Sequence, residues 1–368
     1  TFMPVDYYIE RKKDGSVIVW LSEHDPIERM KGMVGVVLKP KEAKFETRMK
    51  LCNRTPVTNS FLWWENAAVP VNKQYRIFYP KDVSYVNFHY KRSVTTYPFA
   101  SNALGVFNGI RYNGETNISM HKNTTQPTSY FCAPSKYDFF GGFDNGKGCG
   151  VVHIANHHTA PGKKMFTWAY NQLSASWENA LTDNDGAYAE LMAGSYSDNQ
   201  PDFAWIEPYE TKEFSQYWYP IGNIGIPCYA NLNGALHWGD DGLIIQTTID
   251  RQAVVIAEYN GNIFYKSNAD FKAGVPQSFN VKFMGTGSAI RVICGNEEII
   301  SYTEEEKNIY DIPDTTEDMP NFKDVKTAQE LYLEGVHVWQ YRDPAILPES
   351  YWKEALKRDG EHNDSLNA

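Results

Sequence analysis

From residue 1 to about residue 300, Gly, Pro and Asn cut the sequence into short runs in which apolar and polar side chains alternate, as in 16–21, 33–38 and 45–51. A period of two sends successive side chains to opposite faces of a strand. Gly, Pro and Asn supply the turns between strands, each by its own backbone preference. Helical periodicity is almost absent from this stretch. The chain is therefore expected to fold mainly as antiparallel β-sheet, in a large sandwich or barrel.

A length of 368 residues leaves room for more than one domain of roughly 100–200 residues. The run Gly-Asn-Ile-Gly-Ile-Pro, at 222–227, marks a seam after the strand-like 214–219. The expected division is a large β domain over 1–224, a small accessory β-sandwich over 225–301, an acidic linker or strap over 302–326, and a helical hairpin over 327–368. In the accessory part, strands are expected at 243–249, 253–259, 280–284 and 288–294. After residue 326 the period changes. Thr327-Ala328-Gln329-Glu330 is a capping box, and Leu331, Val336, Val338 and Trp339 begin an amphipathic pattern. A second helix starts at Pro348, carries the Glu349/Lys353 and Glu354/Arg358 pairs, and stops at Gly360. Two short helices cannot form a core alone, so they should pack on the β body or open a helical repeat array.

Composition excludes several classes. No run approaches the roughly 18 consecutive apolar residues of a membrane-spanning helix, so no membrane association is expected. An aromatic content of 14% supplies buried surface that disordered chains lack. Thirty-five basic against 45 acidic residues, with no basic cluster, argue against a nucleic-acid partner. The five cysteines are widely spaced without a C-x-x-C pair and read as buried thiols, and no metal or cofactor is expected. The sequence opens on Thr1 without a Met or signal peptide, which points to a processed or truncated chain; the expected setting is cytoplasmic. Asn53, Asn117 and Asn123 begin glycosylation sequons, which matter only in a eukaryotic secretory pathway.

Chemistry concentrates between residues 139 and 220. In Gly186-Ala-Tyr-Ala-Glu190-Leu-Met-Ala-Gly194, small and apolar neighbours surround one carboxylate, so Glu190 should be partly buried with a raised pKa, suited to general acid or base work. The alternative is a structural pairing with Lys163, Lys164 or a backbone amide. His157 and His158 sit in a loop, and in an extended segment only one of them would face a cleft. His153 reads as a satisfied core histidine. Asp183, Asp185, Asp198 and Asp202 lie in turns where Asp commonly caps its own backbone, although any could be a second acid. Alternation in Phe61-Leu-Trp-Trp-Glu-Asn66 puts Trp63 with Glu65 on one face and Trp64 with Asn66 on the other, the second pair suiting a sugar platform. Gly141-Gly142 and Gly146-x-Gly148 are expected in turns, and neither a Gly-x-Ser-x-Gly elbow nor a phosphate loop is present.

The segments NRTP, FLWWEN, HHTAPGKKMFTW, LTDNDGAYAELMAG and DNQPDF resemble an uncharacterised bacterial family that joins a galactose-mutarotase-like domain of unknown function to C-terminal tetratricopeptide repeats. More loosely, the stretch from Glu190 resembles the closing motif of aldose 1-epimerases. The resemblance implies a galactose-mutarotase-like β-supersandwich that binds carbohydrate, with helices that begin the repeats and offer a surface to a protein partner. In mutarotases a glutamate takes the proton of the anomeric hydroxyl and a histidine protonates the ring oxygen. Glu190 falls on that glutamate. The mutarotase Asn-His-x-Tyr-Phe-Asn-Leu signature is missing, and Asn156-His157-His158 stands in a different context.

The expected function is carbohydrate chemistry on an oligosaccharide or glycoconjugate, with cleavage of a glycosidic bond preferred. Aldose 1-epimerase-like ring opening and non-catalytic sugar binding on a repeat scaffold are the alternatives. The expected catalytic set is Glu190, His157, His158 and Asp198; Trp64, Asn66, His89, Asp144, Lys164, Trp168 and Glu207 form the expected substrate-binding set. Hydrolysis needs a second carboxyl group about 5–9.5 Å from the first, for which Asp198, Glu207 and Asp144 are the candidates.

Overall fold

Two antiparallel sheets face each other across the main core. The larger runs, in spatial order, through Asp6–Arg11, Val17–His24, Met30–Leu38, Phe45–Asn53, Thr211–Gly222, Cys149–Ala155, Phe139–Asp144 and Tyr75–Phe78. The smaller runs through Trp63–Pro70, Tyr188–Ser195, Gly162–Thr167, Thr128–Cys132, Tyr85–Asn87 and Val94–Thr96. The computed structural model describes residues 5–26, 29–88, 93–101, 113–196, 203–306, 311–315, 317–340 and 345–368. It is 49% strand and 12% helix, the mainly β sandwich class that alternation predicts.

Alternation decides what fills the core. Ala189, Leu191 and Ala193 point inward with Met165, Tyr130 and Val86, against Ile77, Phe140 and Trp218 of the larger sheet. The intervening residues, Glu190 among them, consequently project from the other face of the smaller sheet. Gly141 and Gly142 are not in a turn as expected. They lie inside the Phe139–Asp144 strand, where a Cβ at Gly142 would collide with the Tyr75 ring.

The outer face of the larger sheet is also covered. Phe78, Phe143, Val152, Ile154 and Tyr219 pack against Ala230 and Ala235, and the Tyr219 hydroxyl donates to the carbonyls of Asn231 (3.1 Å) and Gly234 (2.9 Å). Tyr229–Asn231, Gly234–Gly239, Gly242–Thr247 and Pro276–Phe279 form one four-stranded sheet there. Asn262–Phe271, Arg251–Tyr259, Ser288–Cys294 and Glu297–Thr303 form a second. Leu236, Ile245, Val255, Ile290 and Val292 fill the space between them. Residues 280–284, expected as a strand, are irregular. The chain turns at Val281, whose N–H donates to Phe279 (2.8 Å) and whose carbonyl accepts from the Trp238 indole (3.1 Å).

Of the described residues after Thr303, Ile312 packs against the main core, and Met319 and Phe322 pack against the C-terminal helices. Among the described residues there are four α-helices: α1 Gln172–Leu181, α2 Ala328–Gln340, α3 Pro348–Arg358 and α4 Asn363–Asn367. The capping box at the start of α2 is reciprocal, Glu330 N donating to Thr327 Oγ1 (3.1 Å) and Thr327 N to Glu330 Oε2 (3.0 Å). The buried stripe of α2 is Leu331, Gly335 and Val338, while Trp339 is 60% exposed. Gly335 is required there because a Cβ would strike the Trp352 indole. None of the helices among the described residues is long and apolar enough to cross a membrane.

Helix α1 and the short α4 escape the sequence pattern. In α1, Asn171 caps the N-terminus by accepting from Ser174 N at 2.8 Å. An Asn171→Ala substitution should cost about 1 kcal/mol, read as a lower urea midpoint with an unchanged denaturant slope.

Candidate functional site

Register places Glu190 at the centre of a polar and aromatic group on the outward face of the smaller sheet. Its Cα partners are Phe166 on one side and Ala68 on the other. The next row across the sheet reads Asn87, Phe131, Lys164, Met192 and Asn66, each paired with the next, so all five share Glu190's face. Asn66 Nδ2 donates to Glu190 Oε2 at 3.1 Å and is its one hydrogen-bond donor among the described residues. Lys164 is 5% exposed, with its ammonium 4.6 Å from the centroid of the Phe131 ring.

The two charges on this face are tuned toward each other. Burial pushes the half-buried Glu190 carboxyl above its ordinary value, and the Lys164 charge pulls it partly back. Burial lowers the Lys164 ammonium to about 8, against the opposing pull of Glu190. The carboxyl on one strand thus holds its proton more tightly than an ordinary glutamate, and the amine on the neighbouring strand releases its proton more readily than an ordinary lysine.

Aromatic rings extend this face. Phe166 meets Trp168 edge-on at 5.1 Å, and Trp168 stacks on Trp177 of α1 at 5.2 Å and 14°. Trp168 Nε1 donates to the Tyr188 hydroxyl at 3.0 Å. Trp64 sits half-buried one row beyond, edge-on to Tyr196 at 6.2 Å. Thus Glu190, Asn66, Lys164, Trp64 and Trp168 share one face. Phe166, Tyr188 and Trp177 join them without having been singled out in the sequence. Tyr188 and Phe166 were within reach of alternation alone, being i−2 and cross-strand neighbours of Glu190.

Other expected residues lie elsewhere. His157 Nδ1 is 2.7 Å from Asp138 Oδ1, which also accepts from His157 N (2.9 Å). The His157 and His158 rings lie 3.9 Å apart in a turn, instead of pointing to opposite sides. Their loop enters the smaller sheet at Gly162, the partner of Gly194, four residues from Glu190, which is about 13 Å along a strand. Asp144 is buried at the end of a strand of the larger sheet, accepting from Asn72 Nδ2 (2.6 Å), Gly146 N (2.9 Å) and Lys147 N (3.1 Å). Glu207 stands in the turn before Thr211–Gly222 and accepts from Thr58 Oγ1 (3.1 Å). Asp198 and His89 lie outside the described residues. His153 is 1% exposed, as expected of a core residue, but it is not satisfied. Neither ring nitrogen has a partner among the described residues, and the ring packs against Trp218 (4.6 Å) and Phe140 (5.2 Å).

On the opposite face of Trp63–Pro70, Glu65 enters the core and accepts from Trp218 Nε1 (2.5 Å) and from Thr47 Oγ1; burial raises its pKa. Among the described residues no group of three or more His, Cys, Asp or Glu is placed to hold a metal ion.

Comparison with solved structures finds a TPR-domain-containing protein from Parabacteroides distasonis at TM-score 0.50 and 21% identity, covering 62% of this chain and 36% of that one. This chain thus spans about a third of that protein's length. A galactose mutarotase related enzyme from Lactobacillus acidophilus matches at TM-score 0.40 and 11% identity, over 59% of this chain and 72% of the other. A galactose mutarotase-like protein from Clostridium acetobutylicum matches at TM-score 0.36 and 11% identity, over 59% and 66%. A family model described as "Domain of unknown function (DUF5107)" matches residues 1–221, more than half of the chain. By that match the chain belongs to the DUF5107 family.

Proposed function

We propose that the Glu190 face binds a carbohydrate with a free anomeric hydroxyl and interconverts its anomers by ring opening. The observation that carries this reading is the pairing of a half-buried carboxyl of raised pKa with a buried lysine lowered to about 8 on one sheet face, beside Asn66 and the rings of Phe166, Trp168 and Tyr188. Ring opening needs one group to take the anomeric proton and one to protonate the ring oxygen. Glu190 serves as base and Lys164 as acid, in the role that the mutarotase resemblance gives to a histidine. Asn66 holds the carboxylate, and the aromatic faces offer C–H surface for a sugar ring to stack on.

Glycosidic cleavage fits less well. Asp144 and Glu207 are engaged elsewhere, so of the three candidates for the second carboxyl that hydrolysis requires, neither of the two among the described residues supplies it. The carbohydrate class itself is supported by the motifs around Glu190. On the C-terminal helices and the loop before α3, the exposed Trp339 and Leu347 support the further expectation of a protein contact.

The test is exchange NMR of the anomeric protons of reducing sugars in the presence of the protein. Anomer exchange should accelerate, and kcat/KM should climb as Glu190 loses its proton, at a pH above the usual glutamate range. It should fall again through about 8 as Lys164 loses its own. Lys164→Met should remove the alkaline limb and lower the rate about 100-fold. Sugar binding with no acceleration of exchange would leave a recognition module instead of an enzyme.

A further inference from the structure

A cavity of about 600 Å³ lies on the far side of the molecule from Glu190, where the larger sheet meets the accessory sandwich. Its wall includes Arg76, Lys81, Asp82, Tyr137, Trp238 and Tyr302. Alternation in Tyr75–Phe78 sends Tyr75 and Ile77 into the main core and Arg76 and Phe78 outward, so both sheets separate this cavity from the Glu190 face. Small-molecule sites favour junctions between packed modules, in cavities of about 300–1,000 Å³ with mostly apolar walls and a few converging polar groups.

Among the lysine and arginine side chains of the wall, one differs in its pairing, and the wall also carries the acidic Asp82, Glu304, Glu305 and Glu306. Asp82 accepts from Ser135 Oγ and Lys136 N, both at 2.8 Å. Lys81 pairs with Glu304, donates to the Tyr302 hydroxyl at 2.9 Å and lies over the Tyr302 ring. Lys136 pairs with Glu305 at 2.5 Å. Arg76 differs. Its Nε donates to Ser119 Oγ at 3.1 Å, and among the described residues its two terminal nitrogens donate to no protein acceptor. A half-buried guanidinium presents these donors as a fork that matches the two oxygens of a carboxylate or phosphate.

We propose that this junction cavity is a second ligand site, taking a small organic oxyanion on a ring-sized body, with the anion on the Arg76 fork and the ring against Tyr137 and Trp238. The site is independent of the Glu190 reading, because none of its wall residues belongs to that face.

The test is calorimetric titration of the full chain with glucuronate, glucose 6-phosphate and glucose. One of the two anions should bind at least 10-fold more tightly than glucose, and which one does so tells carboxylate from phosphate. Arg76→Met should weaken that anion about 10- to 100-fold, as expected for loss of charged hydrogen bonds. Glu190→Gln should leave it unchanged. In the unaltered protein the bound anion should also shift the Arg76 side-chain N–H resonances, which reads the contact without a substitution. The proposal is overturned if neither anion outbinds glucose, if Arg76→Met binds as well as wild type, or if Glu190→Gln abolishes binding.

Discussion

Glu190→Gln is expected to lower anomer exchange by about 10²–10⁴-fold, the scale of one general acid or base, with sugar affinity close to that of the unaltered protein. Glutamine keeps the shape of the side chain, and its carbonyl can still accept from Asn66 Nδ2. What it loses is basicity. The variant also removes the charge that opposes the lowering of the Lys164 pKa, so that lysine should titrate lower still in Glu190→Gln. His157→Asn is the matching control. The imidazole is held by Asp138, which precedes the Phe139–Asp144 strand of the larger sheet, and its loss should change the rate by no more than about 2-fold, within the weight of a surface substitution. A large loss in His157→Asn with little change in Glu190→Gln would reverse the assignment and restore the histidine to the chemistry.

Acid should destabilise the fold through its buried histidines. His121 is 2% exposed, and burial lowers its pKa from 6.5 to about 4. His153 is lowered by burial and by the Lys163 charge. A histidine whose folded pKa is depressed binds fewer protons folded than unfolded between those two values. Its contribution is therefore complete above about 6.5 and is lost as pH falls toward about 4. For His121 alone the loss amounts to about 3 kcal/mol, at 1.36 kcal/mol per unit. Glu65 works the other way. Its folded pKa is raised, so its burial becomes less costly as it gains a proton on acidification. Comparing wild type with His121→Gln isolates the histidine. Urea unfolding across this pH range should show a shallower loss in the variant, and parallel curves for the two proteins would remove His121 from the account.

Alternation makes much of the Glu190 face legible in the sequence. The period of two that separates Ala189 and Leu191 from Glu190 also divides Lys163 from Lys164 and Glu65 from Asn66. One member of each pair points into the main core and the other to the opposite face of the smaller sheet, where Asn66 is exposed and Lys164 is itself buried. Trp177 was not legible, because its stacking on Trp168 joins a helix to a strand end and leaves no mark in the local sequence pattern. Asp144 and the His157–His158 turn misled for a different reason. Polar residues clustered in sequence were separated by the return of the chain from one sheet to the other, with Asp144 capping a turn and His157 fixed by Asp138. The junction cavity has no local signature at all. It is made by strands more than 140 residues apart, which carry Arg76 and Trp238 to one wall.

The most direct measurement is a crystal structure of Glu190→Gln with a reducing sugar bound. The anomeric oxygen should lie within about 2.6–3.2 Å of the residue 190 side chain, with the Lys164 ammonium toward the ring oxygen. A sugar seated only in the junction cavity, with the face bearing Glu190 and Lys164 empty at saturating ligand, would contradict it.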